Sequence, residues 1–178
     1  MKRIYAGIGS RETPEEVSKN VIIPFAEYLA KKDWILRSGG AEGADSAFEE
    51  GCDLAKGKKE IFLPWPGFNG NKSTFSQIPL AAFKTAAFVW QKRGRQWEST
   101  KPAVQKFMAR NAMQILGINM IVPVDFVVCW TPGGKLTGGT AQALKHASIL
   151  GIPIFNIGKF ATTGGMREAL NMFWRNIK

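Results

Sequence analysis

The 178 residues hold one histidine, His146, and two cysteines, Cys52 and Cys129. A single imidazole excludes a multi-histidine metal site and any catalytic pairing of two histidines. The cysteines stand far apart with no C-x-x-C spacing. That excludes a disulfide scaffold and argues against structural zinc. Cys129, inside an apolar run, reads as a buried thiol, and His146, mid-helix, as a structural residue. Long apolar runs are also missing. The longest, around Met120 to Trp130, is interrupted by Pro123 and Asp125, short of the roughly 18–20 residues a membrane span needs. Lys2 and Arg3 lead into a short apolar segment ending in glycine, so no secretory leader is expected. Low-complexity tracts and internal repeats are absent. The expectation is a cytoplasmic protein with no metal, no cofactor and no membrane partner.

Acidic side chains are scarce as well: 14 Asp+Glu stand against 24 Lys+Arg, a net charge of +10. Such a surplus suits a polyanionic partner, and it is local. Residues 1–60 are near balance, whereas residues 84–110 carry Lys84, Lys92, Arg93, Arg95, Lys101, Lys106 and Arg110 against Glu98 alone. Phe83, Phe88, Trp90, Trp97 and Phe107 are interleaved with these charges. A basic stretch of this kind is an electrostatic footprint for phosphate, and its rings are candidates for stacking on bases.

What is present otherwise is alternation. Residues 3–9 read as a buried strand ending in a glycine turn. Thr13 is an N-cap candidate, with Pro14 opening a helix that runs to about Lys32. Residues 34–37 form a second strand, 43–55 a helix and 60–63 a third strand, which enters the Pro64–Asn71 loop. Residues 77–117 are helical but broken at Gly94 and Pro102. Asp125 to Trp130 is continuous and apolar, as a strand buried on both faces should be. A helix at 140–149, a strand at 152–157 and a helix at 166–176 complete the chain. This order predicts an α/β Rossmann-like three-layer sandwich with a mainly parallel sheet. It forms a single domain over 1–178, with a basic helical insert at about 77–117.

Three strands end in small polar turns: Gly9-Ser10-Arg11, Ser38-Gly39-Gly40, and Thr131-Pro132-Gly133-Gly134. Glycine there lets backbone N–H groups approach a phosphate, and the following helix N-terminus adds positive potential. Gly138-Gly139-Thr140 opens another helix in the same manner. Ser10, Ser38, Thr131, Thr137 and Thr140 offer hydroxyl donors, and Arg11 a guanidinium. Asp45, one turn into its helix, could touch a ligand hydroxyl or satisfy the turn's own amides. The expected phosphate or nucleotide site is therefore Gly9, Ser10, Arg11, Ser38, Gly39, Gly40, Asp45, Gly133, Gly134, Gly138, Gly139 and Thr140. Lys92, Arg93, Arg95, Lys106, Arg110 and Asn111 form a nucleic-acid track beside it.

The same residues resemble a known family. Gly9-Ser10-Arg11, then Leu36-Arg37-Ser38-Gly39-Gly40-Ala41-Glu42-Gly43-Ala44-Asp45, then Ala109-Arg110-Asn111, then Gly138-Gly139-Thr140 with Ala143-Leu144 follow the motif order of DNA-processing protein A. The resemblance covers about residues 4 to 157, and Ser38–Asp45 is its most specific part. It implies a Rossmann-like domain that binds single-stranded DNA and assists recombinase loading, with a homodimer and a recombinase as further partners. The length suits the core alone, as in short phage-type homologues. The Trp65–Asn71 loop and the insert at 84–104 depart from the family pattern. The superfamily also holds lysine-decarboxylase-like phosphoribohydrolases, whose Pro-Gly-Gly-x-Gly-Thr-x-x-Glu signature is similar to Pro132-Gly133-Gly134 and Gly139-Thr140. Four residues separate the two halves here, and the position of the catalytic carboxylate is Ala143. Glycosidic hydrolysis needs a carboxylate near the sugar. The expectation is thus a binder of single-stranded DNA or nucleotide phosphates at the C-terminal edge of the sheet, with no catalytic residues. The alternatives are a nucleoside monophosphate N-glycosidase or a non-catalytic binder of a nucleotide signal.

Overall fold

The computed structural model describes residues 2–136 and 138–177. Strands β1 (Ile4–Gly9), β2 (Ile35–Ser38), β3 (Lys59–Ile61), β4 (Phe126–Trp130) and β5 (Ile154–Asn156) form one sheet, ordered β3-β2-β1-β4-β5. Every neighbouring pair is parallel, with Tyr5 beside Leu36 on one side and Phe126 on the other. This is the α/β Rossmann-like arrangement that the alternation predicts. The helices are α1 (Glu15–Val17), α2 (Ile23–Ala30), α3 (Ala44–Leu54), α4 (Leu80–Lys92), α5 (Pro102–Leu116), α6 (Thr140–Ile149) and α7 (Thr163–Ile177).

The two-residue period of a strand sorts the core into layers. Tyr5, Leu36, Phe126 and Val128 pack with Phe25 and Leu29 of α2, Phe48 of α3 and Leu170 and Trp174 of α7. Ile4, Ala6, Ile8, Val127 and Cys129 pack with Ile115 of α5 and Ala143, Leu144 and Ala147 of α6. Both sheet faces are therefore dry, which explains why β4 is apolar throughout. A third cluster joins Phe62 to Ala82, Ala86 and Trp90 of α4 and Met108, Ala109 and Met113 of α5. The basic insert is thus a helix pair anchored in its own apolar layer. Among the described residues, no helix is long and apolar enough to cross a membrane.

Local details differ from the sequence expectation. Thr13 does not cap the first helix: Pro14 does, without a side-chain bond, while the Thr13 hydroxyl donates to the Ser10 carbonyl at 2.7 Å. The helix expected to run unbroken to Lys32 contains a π-helical segment at Ser18–Ile22. Pro24, at the start of α2, has no N–H to continue the α-helical ladder, and the widened turn accommodates it. The third strand closes at Ile61, because Leu63 donates to the Phe75 carbonyl at 2.9 Å rather than extending the sheet.

Strand order reverses between β1 and β4. In an open parallel sheet a crevice opens beyond the carboxyl ends of two such strands.

Candidate binding cleft

A cleft of about 440 Å³ lies at that reversal, lined by Gly9, Ser10, Arg11 and Glu12 after β1 and Thr131 and Pro132 after β4. Asp45 contributes from α3, and Gly138, Gly139 and Thr140 from the start of α6. Ile8 and Ala41 also line it, and the remaining wall is one face of α5: Val104, Phe107, Met108, Arg110, Asn111 and Gln114. Residues 107, 110, 111 and 114 recur at i, i+3, i+4 and i+7, so the helix period aligns them on one stripe.

The centre of the floor is polar and buried. Asp45 is 3% exposed and Arg110 6%, and their closest oxygen and nitrogen lie 3.5 Å apart. Asp45 also accepts from the N–H groups of Gly9 (3.1 Å) and Ala41 (3.4 Å). The carboxylate thus answers one backbone donor at the end of β1 and one in the turn before α3 that an incoming anion would otherwise meet. Burial pushes its pKa above the ordinary carboxylate value, opposed by Arg110 and those N–H groups. Burial, aided by the Arg11 charge, lowers the pKa of Arg110, which stays cationic because guanidinium starts so high. With the Gln114 amide oriented by its neighbours, its oxygen accepts from Gly39 N–H and Arg110 Nη1, both at 3.0 Å. Arg110 Nε is buried without a hydrogen-bond partner among the described residues.

Around this pair the walls are tied together. Ser10 N–H donates to the Trp130 carbonyl at 3.0 Å, joining the turns after β1 and β4. Thr140 Oγ1 donates to the Gly9 carbonyl at 2.9 Å, and Asn111 Nδ2 to the Gly139 carbonyl at 2.9 Å. The N-cap of α6 is Gly139, which has no side chain of its own to close this helix end where it lines the cleft. Arg11 is exposed at the rim and makes no ion pair among the described residues.

The structure brings Gly9, Ser10, Arg11, Asp45, Arg110, Asn111, Gly138, Gly139 and Thr140 together in this cleft. It places the other expected residues elsewhere. Ser38 is fully buried and its hydroxyl donates to the Gly7 carbonyl at 2.7 Å. Gly39 faces the Arg110 guanidinium, and Gly40 faces Leu63 and Asn71. That turn is filled by the protein's own side chains. Gly133 and Gly134 lie beyond the lining, Gly134 against Lys159. Lys92, Arg93, Arg95 and Lys106 also stand outside it. Arg110 and Asn111 form the buried floor rather than a surface track. Thr137 lies outside the described residues. Gln114, only 2% exposed, was not expected; its spacing of four from Arg110 and seven from Phe107 is the signal that points to it. Among the described residues, no cluster of three or more His, Cys, Asp or Glu could hold a metal ion.

No protein-family model and no curated protein sequence matches the chain. Two solved structures match the chain. One is DNA processing protein A from Helicobacter pylori, described for its single-stranded DNA binding mode: 24% identity, 86% of this chain, TM-score 0.55. This chain spans 64% of that protein's chain. The other is a molybdenum cofactor carrier protein from Chlamydomonas reinhardtii, at 16% identity and TM-score 0.42, covering 97% of this chain and 98% of that one. The first likeness shows the Rossmann-like fold.

Proposed function

We propose that the cleft binds the sugar–phosphate backbone of single-stranded nucleic acid. The observation that carries this reading is the α6 N-terminus, whose N-cap is a glycine with no side chain to close it, opening with Arg11 on the same cleft at the strand-order reversal. A helix N-terminus, a nearby guanidinium and glycines that permit close approach are the parts of an anion site. Phe107, on the wall and over the Arg110 guanidinium at 5.8 Å, offers a ring face to a base. The fold likeness to a protein studied for single-stranded DNA binding supports the choice of ligand. A part in recombination follows as the wider role.

Binding rather than turnover is the chemistry we assign. The carboxylates lining the cleft are Glu12 and Asp45, and Asp45 is committed to Arg110 and two backbone donors. Ala143 is packed into the apolar layer beneath the sheet. A second reading, a pocket for a single nucleotide, is favoured by the volume, which lies in the range of small-ligand pockets.

Fluorescence anisotropy of labelled oligo-dT across a salt series tests the proposal, with thymidine monophosphate as competitor. The logarithm of the affinity should fall linearly with that of salt, by about 0.7 per phosphate neutralised. Arg11→Gln should make the slope shallower. Absence of oligonucleotide binding at low salt would overturn the reading, and tight binding of the monophosphate alone would favour the second.

A further inference from the structure

Beyond the cleft, the end of α4 holds two guanidiniums on one indole. Arg93 lies 5.5 Å and Arg95 5.0 Å from the centre of the Trp90 ring. The backbone forces this arrangement. Gly94 is left-handed, with φ 72°. Its N–H donates to the Gln91 carbonyl at 2.8 Å, and Arg95 N–H donates to the Trp90 carbonyl at 3.2 Å. Those two bonds make a Schellman turn, in which the residue after the glycine folds back over the third residue from the helix end. Here these are Arg95 and Trp90, and Arg93 on the other side of the glycine meets the same ring. Helix capping therefore positions both cations before any ligand arrives.

Like charges so placed call for an anion. No carboxylate pairs with either arginine among the described residues. Arg93 is partly desolvated, and its pKa is lowered by burial and by the Arg95 charge. Helix C-terminal carbonyls favour a cation nearby, which accounts for one positive residue there but not for two sharing a ring. The fork is also linked to the cleft. Arg93 Nη1 donates to Gln142 Oε1 at 3.2 Å, and Gln142 lies two residues into α6 from Thr140, which lines the cleft.

We infer that Arg93 and Arg95, stacked on Trp90, form a second phosphate site that holds the nucleic-acid strand where it leaves the cleft. This rests on the cleft being the nucleic-acid site and adds that the ligand is a strand of several phosphates, not a single nucleotide. Two stacked guanidiniums present planar donors to phosphate oxygens, and the ring restricts the freedom that binding would otherwise remove.

The test compares wild type, Arg11→Gln, Arg95→Gln and the Arg93→Gln/Arg95→Gln double variant by anisotropy over a salt series. The probes are oligo-dT of increasing length and thymidine monophosphate. Arg95 is exposed, so its single variant keeps the test readable if the double variant folds poorly. The salt slope for long oligo-dT should shrink by about 0.7 for Arg95→Gln and about 1.4 for the pair. The gain in affinity from monophosphate to oligonucleotide should collapse in the double variant. Slopes unchanged in Arg95→Gln and the pair, with Arg11→Gln still reducing its own, would overturn the second site and leave the cleft reading intact. No oligonucleotide binding by wild type at low salt would overturn both.

Discussion

Gly39 shows how a single missing side chain organises the cleft floor. A methyl group there would overlap the Arg110 guanidinium and displace it from Asp45. Leaving one partner of a buried ion pair unanswered costs about 3–5 kcal/mol. Gly39→Ala should lower unfolding stability in urea denaturation, by less than that because the guanidinium can shift towards the cleft. Tyr5 behaves oppositely. Its hydroxyl is buried with no partner among the described residues, and burial holds its pKa well above the ordinary phenol value. Tyr5→Phe removes an unanswered polar group and keeps the ring against Phe126, so stability should stay equal or rise by about 1 kcal/mol. His146 supplies a pH dependence. Nε2 is buried with no partner among the described residues, and burial pulls the imidazole down to about 4 from 6.5. The unfolded chain takes up a proton that the folded chain refuses. The contribution is complete above pH 6.5 and is lost as pH falls towards 4. Asp45, whose pKa is raised, acts with the opposite sign and favours the fold as pH falls. Equilibrium unfolding across this window should show wild type losing up to ~3 kcal/mol more than His146→Gln.

At the scale of elements, a buried arginine decides how the chain passes from α5 to β4. Arg37 lies within β2, 3% exposed, bonded through Nε to Glu60 at 2.6 Å and through Nη1 to the Val122 carbonyl at 2.5 Å. It ties β2 to β3 and both to the segment that leads into β4. Arg37→Leu leaves the Glu60 carboxylate and that carbonyl without their donor. Stability should fall by about 3 kcal/mol, and amide exchange should quicken first over residues 117–124. The Gly94 turn is a second such element. In Gly94→Ala the left-handed residue bears a side chain at a cost of about 1 kcal/mol.

The whole molecule is a sheet sealed on both faces, and its two thiols report on that. Cys52 packs in the layer with α2 and α7, Cys129 in the layer with α5 and α6. Burial pushes Cys52 up to about 11 and Cys129 up to about 12, so little thiolate exists near neutral pH. Neither should react with a thiol reagent except through unfolding, and pulsed labelling should show how far the two layers open together. Charge is also distributed at this scale. The net +10 includes a stripe at residues 84–110 that is split in three dimensions. Arg110 is buried in the cleft floor, Lys92 and the two arginines after it lie on aromatic rings, and Lys106 remains exposed.

The sequence by itself determined the layers. Strand alternation in Ile4–Gly9, the continuous apolar run of β4 and the glycine-ended strands are local patterns, and local patterns survive into the α/β fold. Helix ends and the π-helical segment at Ser18–Ile22 were not legible, because small differences in hydrogen bonding around Pro14 and Pro24 decide them. The tertiary structure alone decided which glycine turns open onto the cleft. Ser38-Gly39-Gly40 and Gly9-Ser10-Arg11 look alike as strings. The first is filled by Arg110 and Gln114 arriving from α5, and the second lines the cleft. Whether a turn's N–H groups meet a ligand or the protein's own side chains depends on what packs against them from distant segments. That is a matter of volume and burial, which a linear pattern does not encode.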